Sequence, residues 1–182
     1  KASDIERARP LVAELAEVSR PITSAAAQQP STPGVAGDAK VLLAPYAQWV
    51  ATVPEADRAA TETSLFYFHG RLGAWDEAFA AANATDLTPA RRTQAYLSLC
   101  NAARDNRDWA RATECLAKAR ESLAQVTGTD RSAPLLITYC NEALFARDMS
   151  DLGDRFREAA QLINQSTKLE DRTNQFSDLA LV

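Results

Sequence analysis

The chain has 182 residues, 20 Lys+Arg against 24 Asp+Glu and one His, a formal net charge of −4. With 46% hydrophobic and 24% charged residues, it matches neither a disordered nor a membrane-embedded protein, and no run approaches the roughly 18 apolar residues of a membrane span. The acidic balance argues against nucleic acid as the main partner. Thirty-six Ala against six Gly, with Val and Ile sparse, favour helix over sheet.

Residues 3–19 read as an amphipathic helix through Ile5, Leu11, Val12, Leu15 and Val18, with Pro10 as a kink or a start. Residues 21–37 hold three Pro, two Gly and no charge, and read as a linker or long loop. These two stretches form an expected N-terminal region, 1–37, ahead of a repeat domain, 38–182. Asp38 is the expected N-cap of a helix over 38–53, which Pro45 divides or starts. Six helical segments follow: 54–70, 74–84, 89–104, 109–126, 133–146 and 149–165. Pro54 stands in a first turn, with Glu55 and Asp57 suiting the positive end of the helix dipole. Thr88-Pro89 pairs an N-cap with a first-turn proline. Asp108 caps the helix from 109, and Asp148 is expected to open the segment from 149. The tail after Ser166 reads as one more short helix or part of a longer array.

Three cysteines, Cys100, Cys115 and Cys140, exclude a fully paired disulfide framework. Their spacing fits no zinc template, one His does not complete such a site, and no cofactor or metal is expected. They read as small buried thiols, with a Cys100–Cys140 disulfide only if the chain is exported. The chain opens on Lys without a visible signal peptide, so it reads as part of a longer protein or as one relieved of its leader. Location stays open, with the cytoplasm favoured and export if a leader was removed.

The segments repeat. Residues 96–119 align without gaps on 136–159, with 6 of 24 positions identical: Cys100/Cys140, Asn101/Asn141, Ala103/Ala143, Arg107/Arg147, Asp108/Asp148 and Ala119/Ala159. Trp75 and Ala78 precede Trp109 and Ala112 by 34 residues, and the next offset is 40. Two antiparallel helices cannot hide both apolar faces, so each pair needs the next one. Ala78, Ala112 and Ala119 are expected at the close approaches, with Trp75, Trp109, Leu99 and Leu116 filling gaps between units.

The run Leu99-Cys100-Asn101-Ala102, then Asp108-Trp109, Ala112, Leu116 and Ala119, resembles the tetratricopeptide (TPR) pattern. Cys100 takes its small-residue slot and Trp109 its aromatic one. Residues 136–160 depart from it at Met149 and Leu152, and residues 62–86 at Phe66. The resemblance covers roughly 55–165 and implies a right-handed, all-α solenoid of antiparallel hairpins. It also implies that Asn101 and Asn141 face a concave groove, where an amide can donate to and accept from a bound peptide; the plainer role is bridging neighbouring helices. Arg104 lies a turn further along the same helix and would receive a carboxylate, or is solvated surface, with Asp105 blunting any positive field. Tyr67 and Arg71 hold similar positions one unit earlier. Leu144 and Phe145 make the second unit's face partly apolar.

No catalytic constellation stands out. His69 lacks partners for acid–base work, no phosphate loop is present, and no Ser or Cys has a base beside it. Sixteen Arg against four Lys and abundant Ala read as coding bias. The expected function is therefore non-enzymatic: a scaffold that binds a protein or peptide segment, without nucleic acid or membrane insertion. The alternatives are a structural or self-associating segment of a larger protein, and a helical enzyme or ligand-binding domain with an unseen site.

Overall fold

The computed structural model describes residues 33–165 and 169–180; the helix expected over 3–19 lies outside these. Among the described residues the chain is all-α, with eight helices and no strand. These are α1 (Pro33–Thr52), α2 (Glu55–Arg71), α3 (Trp75–Ala82), α4 (Pro89–Asp105), α5 (Trp109–Leu123), α6 (Ala133–Phe145), α7 (Leu152–Gln165) and α8 (Leu169–Ala180). A 3-10 turn, Gly128–Asp130, lies between α5 and α6.

α1 corrects two expectations. The chain is already helical at Pro33, within the expected linker. Pro45 neither divides nor starts the helix; it lies inside it on the exposed side. Leu43, Tyr46 and Val50 form the buried stripe and pack with Phe68, Leu72 and Ala74. The N-caps fall where Thr88 and Asp108 predict them, accepting from Arg91 N at 3.3 Å and Arg111 N at 3.1 Å. Asp148 does not open a helix. Its carboxylate folds a turn onto the amide and hydroxyl of Ser150, and α7 starts later, at Leu152.

Three of the turns that end helices are built alike. After α2, Leu72 N donates to Phe68 O, Gly73 N to Gly70 O and Ala74 N to His69 O. The same three bonds close α4, from Asn106, Arg107 and Asp108, and α6, from Ala146, Arg147 and Asp148. The middle residue takes a left-handed φ each time: 76° at Gly73, 59° at Arg107 and 58° at Arg147. This is the helix stop in which a left-handed residue lets two amides reach back to orphan carbonyls. It recurs at the 34- and 40-residue offsets of the repeat.

α4 packs on both α2 and α5, α6 on α7, and α8 on α7 and α6. One core runs through these helices, with Leu97, Leu99, Leu116, Leu123, Leu136, Tyr139 and Ile163 buried among Ala78, Ala112, Ala119 and Ala159. Each buried leucine contributes about 1.5–3 kcal/mol. Cys100 donates its thiol to Ala112 O at 3.4 Å, so the small-residue slot faces the second helix of its hairpin. Cys140 is likewise buried, and all three thiols are free.

Trp109 corrects another expectation: it is 56% exposed and fills no gap between units. The buried stripe of α5 runs Ala112, Cys115, Leu116, Ala119 and Leu123. Trp109 stands a turn ahead of it, where side chains lean toward the helix start and past the hairpin tip. Met149, its counterpart, is 64% exposed. Many arginines have structural roles that coding bias does not convey. Arg58, Arg92 and Arg131 each place a guanidinium on carbonyls at the end of a preceding helix or the loop after it: Val53 O, then Ala82, Ala84 and Leu87 O, then Leu123 and Val126 O.

Candidate functional site

Four of the five residues singled out from sequence meet on one face, built by α2, α4 and α6. Tyr67 donates its hydroxyl to Asp105 Oδ2 at 2.8 Å. Arg71 Nη1 lies 3.5 Å from the same oxygen, and its guanidinium stands 5.9 Å from the Tyr67 ring centre. Arg104 reaches three ways. Its Nη2 donates to Asn101 Oδ1 at 2.9 Å, its Nη1 to both Glu142 oxygens at 3.3 and 3.2 Å, and its plane covers the Phe145 ring at 4.3 Å. Asn141 stands apart, with no side-chain hydrogen bond among the described residues.

Helix spacing produces this arrangement. Tyr67 and Arg71, like Asn101, Arg104 and Asp105, are three or four residues apart and share a side of their helices. The close fit of α4 on α2 carries Asp105 to Tyr67. Asn106 bonds across the same gap, donating Nδ2 to Gly70 O at 3.0 Å. Below this network lies a cleft of about 280 Å³, lined by Thr63, Ser64, Tyr67, Phe68, Ser98 and Asn101.

The electrostatics differ from a simple positive groove. Both arginines face carboxylates, Arg71 with Asp105 and Arg104 with Asp105 and Glu142. Each arginine thus has a carboxylate partner within the chain, and Asp105 lies beside both. Asn101 spends its carbonyl on Arg104 and keeps its amide hydrogens. Glu142 is pushed up to about 7 because burial outweighs the pull of Arg104. Burial likewise raises Tyr67.

Glu142 was not singled out from sequence, though a signal exists. It is the sole charge between Arg131 and Arg147, and a lone carboxylate in an apolar helix needs a partner. A second network, on α5 to α7, also escaped. Arg120 donates to Tyr139 at 2.8 Å and to Asp148 at 2.6 Å; Tyr139 donates to Asp151 at 2.8 Å. Arg155 bridges Asp151 and Glu158, which also pairs with Arg131. Ser150's hydrogen bonds, with Arg120 beside them, hold Asp148 down at about 2. This network clamps the hairpin.

Burial pushes the Cys115 thiol up to about 12 and Cys140 to about 11, and raises Cys100 further, so none is a ready thiolate. Burial lowers His69, whose buried Nδ1 has no partner. Among the described residues no cluster of His, Cys, Asp and Glu is arranged to hold a metal ion. No described helix is long and apolar enough to cross a membrane. Comparison with family models, curated proteins and solved structures finds no match.

Proposed function

We propose that this chain is a non-enzymatic interaction module: a right-handed α-solenoid of TPR-like hairpins that holds an extended segment of a protein partner. The segment lies across the face of α2, α4 and α6. The single observation behind this reading is the cleft shared by Tyr67 and Asn101. At about 280 Å³, it is smaller than the roughly 300–1,000 Å³ typical of small-molecule sites. Its size suits one partner side chain. Asn101 donates to a backbone carbonyl of the segment, and Tyr67 and Phe68 line the cleft for an apolar group. Arg71 and Arg104 are paired with Asp105 and Glu142, so the matching segment is uncharged around its anchor side chain.

The test is a random peptide library panned against the purified chain, with each enriched peptide measured in solution against Asn101→Ala and Tyr67→Ala. Either substitution is expected to weaken binding roughly tenfold or more, with little dependence on salt. A library that yields no binder, or binders indifferent to both substitutions, overturns the reading.

A second reading, a self-associating or structural segment, draws on Trp109 and Met149, exposed at equivalent hairpin tips. Sedimentation across a concentration series separates the two. Association that Trp109→Ser abolishes supports the second, and a monomer at every concentration removes it.

A further inference from the structure

The junction of α4 with α6 rests on a buried carboxylate. Glu142 is 5% exposed, and its recorded cation is Arg104, at 3.2 Å. The other groups that act on it from α4 are the like-charged Asp105 and the Cys100 thiol. Several other charged groups around α6 have partners of their own. Arg120 of α5 holds Asp148 and Asp151, Arg155 and Glu158 of α7 hold Asp151, Arg131 and each other, and Arg157 pairs with Asp154. On α8, Arg172 buries its Nε without a hydrogen-bond partner, and neither it nor Asp178 bonds to Glu142. Arg104, by contrast, has other partners within reach: Asn101 Oδ1 at 2.9 Å and Asp105 Oδ1 at 3.8 Å.

We infer that the Arg104–Glu142 contact is a proton-operated latch between successive hairpins: with its proton Glu142 packs as a neutral group and α6 sits tight on α4, and loss of that proton to solvent leaves a buried charge that Arg104 only partly offsets and loosens α6 against α4. A neutral Glu142 fits its apolar pocket better than a charged one, whereas Arg104 is near solvent and keeps its charge at low cost. Burial sets the exchange near neutral pH, at about 7. The latch is independent of the peptide reading.

The test is a distance measurement between spin labels at Thr113→Cys on α5 and Gln161→Cys on α7. Both positions are exposed, while the three native thiols are buried and slow to react. The interlabel distance is expected to shift by about 1–2 Å or to broaden between pH about 5.5 and 8, and to be pH-independent in Glu142→Gln. His69 remains in that variant, so its titration cannot account for the difference. A carbon-13 titration of the Glu142 carboxyl gives a second readout that needs no variant, with an expected midpoint near 7. A distance indifferent to pH in the parent chain, or a carboxyl midpoint below about 5, overturns the latch.

Discussion

Two successive junctions, of α2 with α4 and of α4 with α6, occupy the same sequence register and differ in what fills their centres. Where α2 meets α4, Gly70 faces Ala102; a Cβ on Gly70 would stand 2.6 Å from the Ala102 Cβ. One step on, the residues at the equivalent positions are Arg104 and Glu142, which form the buried ion pair. The first junction is close and apolar at its centre, with Asp105 reaching Tyr67 and Arg71 across its edge. Trp75 is 5% exposed there, under the Arg111 guanidinium at 5.0 Å, and Asn106 stitches α4 to the end of α2. At the second junction Trp109 is left exposed, Ala146 replaces Asn106, and the connection is longer by the six residues that separate offsets of 34 and 40. The turns are thus kept while the centre of one joint is set by shape and that of the next by charge. Of the two carboxylates at these joints, Asp105 is exposed and Glu142 is buried.

The largest expected effect breaks the first joint. Leu99 is fully buried, with its Cδ2 3.3 Å from where a Gly70 Cβ would lie. Leu99→Ala is expected to cost about 2–5 kcal/mol in denaturant unfolding. Next comes the pH dependence of the second joint. Glu142 is raised from 4.5 to about 7 in the folded chain, so the fold holds its proton more tightly than the unfolded chain does. Its contribution is therefore complete below about pH 4.5 and is lost as the pH rises through about 7, a change on the order of 3 kcal/mol. Stability is expected to fall over that window more steeply in the parent chain than in Glu142→Gln, as followed by thermal melts at several pH values. Asp148 and Glu158, both held low, contribute with the opposite sign in stronger acid and are common to both proteins. Gly70→Ala sharpens the comparison by overpacking the close joint, with an expected cost of about 1–3 kcal/mol. The smallest effect is at Trp109, where Trp109→Ser is expected to change stability by about 0.5 kcal/mol or less.

Much of the helical architecture was legible because its signals are local. Alanine abundance, Thr88-Pro89 and Asp108 report on the chain within one turn, and the 96–119/136–159 alignment reports the duplicated hairpin. Asp148 misled because its carboxylate has a nearer competitor, the hydroxyl of Ser150, that an N-cap rule does not weigh. The left-handed turns at Arg107 and Arg147 carry no glycine to announce them, although the identity of the two arginines does. Trp109 was misplaced because a hydrophobic residue at the first position of a helix is buried only if a neighbouring unit reaches it. The resemblance singles out Asn101, helical spacing adds Arg104, and the repeat adds Tyr67 and Arg71, but their charge balance is not legible there, since it depends on Glu142, 38 residues beyond Arg104.

The most direct measurement is a double-mutant cycle in urea near pH 8 with Arg104→Met, Glu142→Leu and the pair together. The account predicts that each single change destabilises, by about 1–3 kcal/mol after allowing for the exposure of Arg104. The double variant, with an apolar pair in place of the ions, is expected to lie within about 1 kcal/mol of the parent chain. Additivity of the two single effects to within about 0.5 kcal/mol would mean that the contact does not join α4 to α6, and would contradict a second junction held by charge.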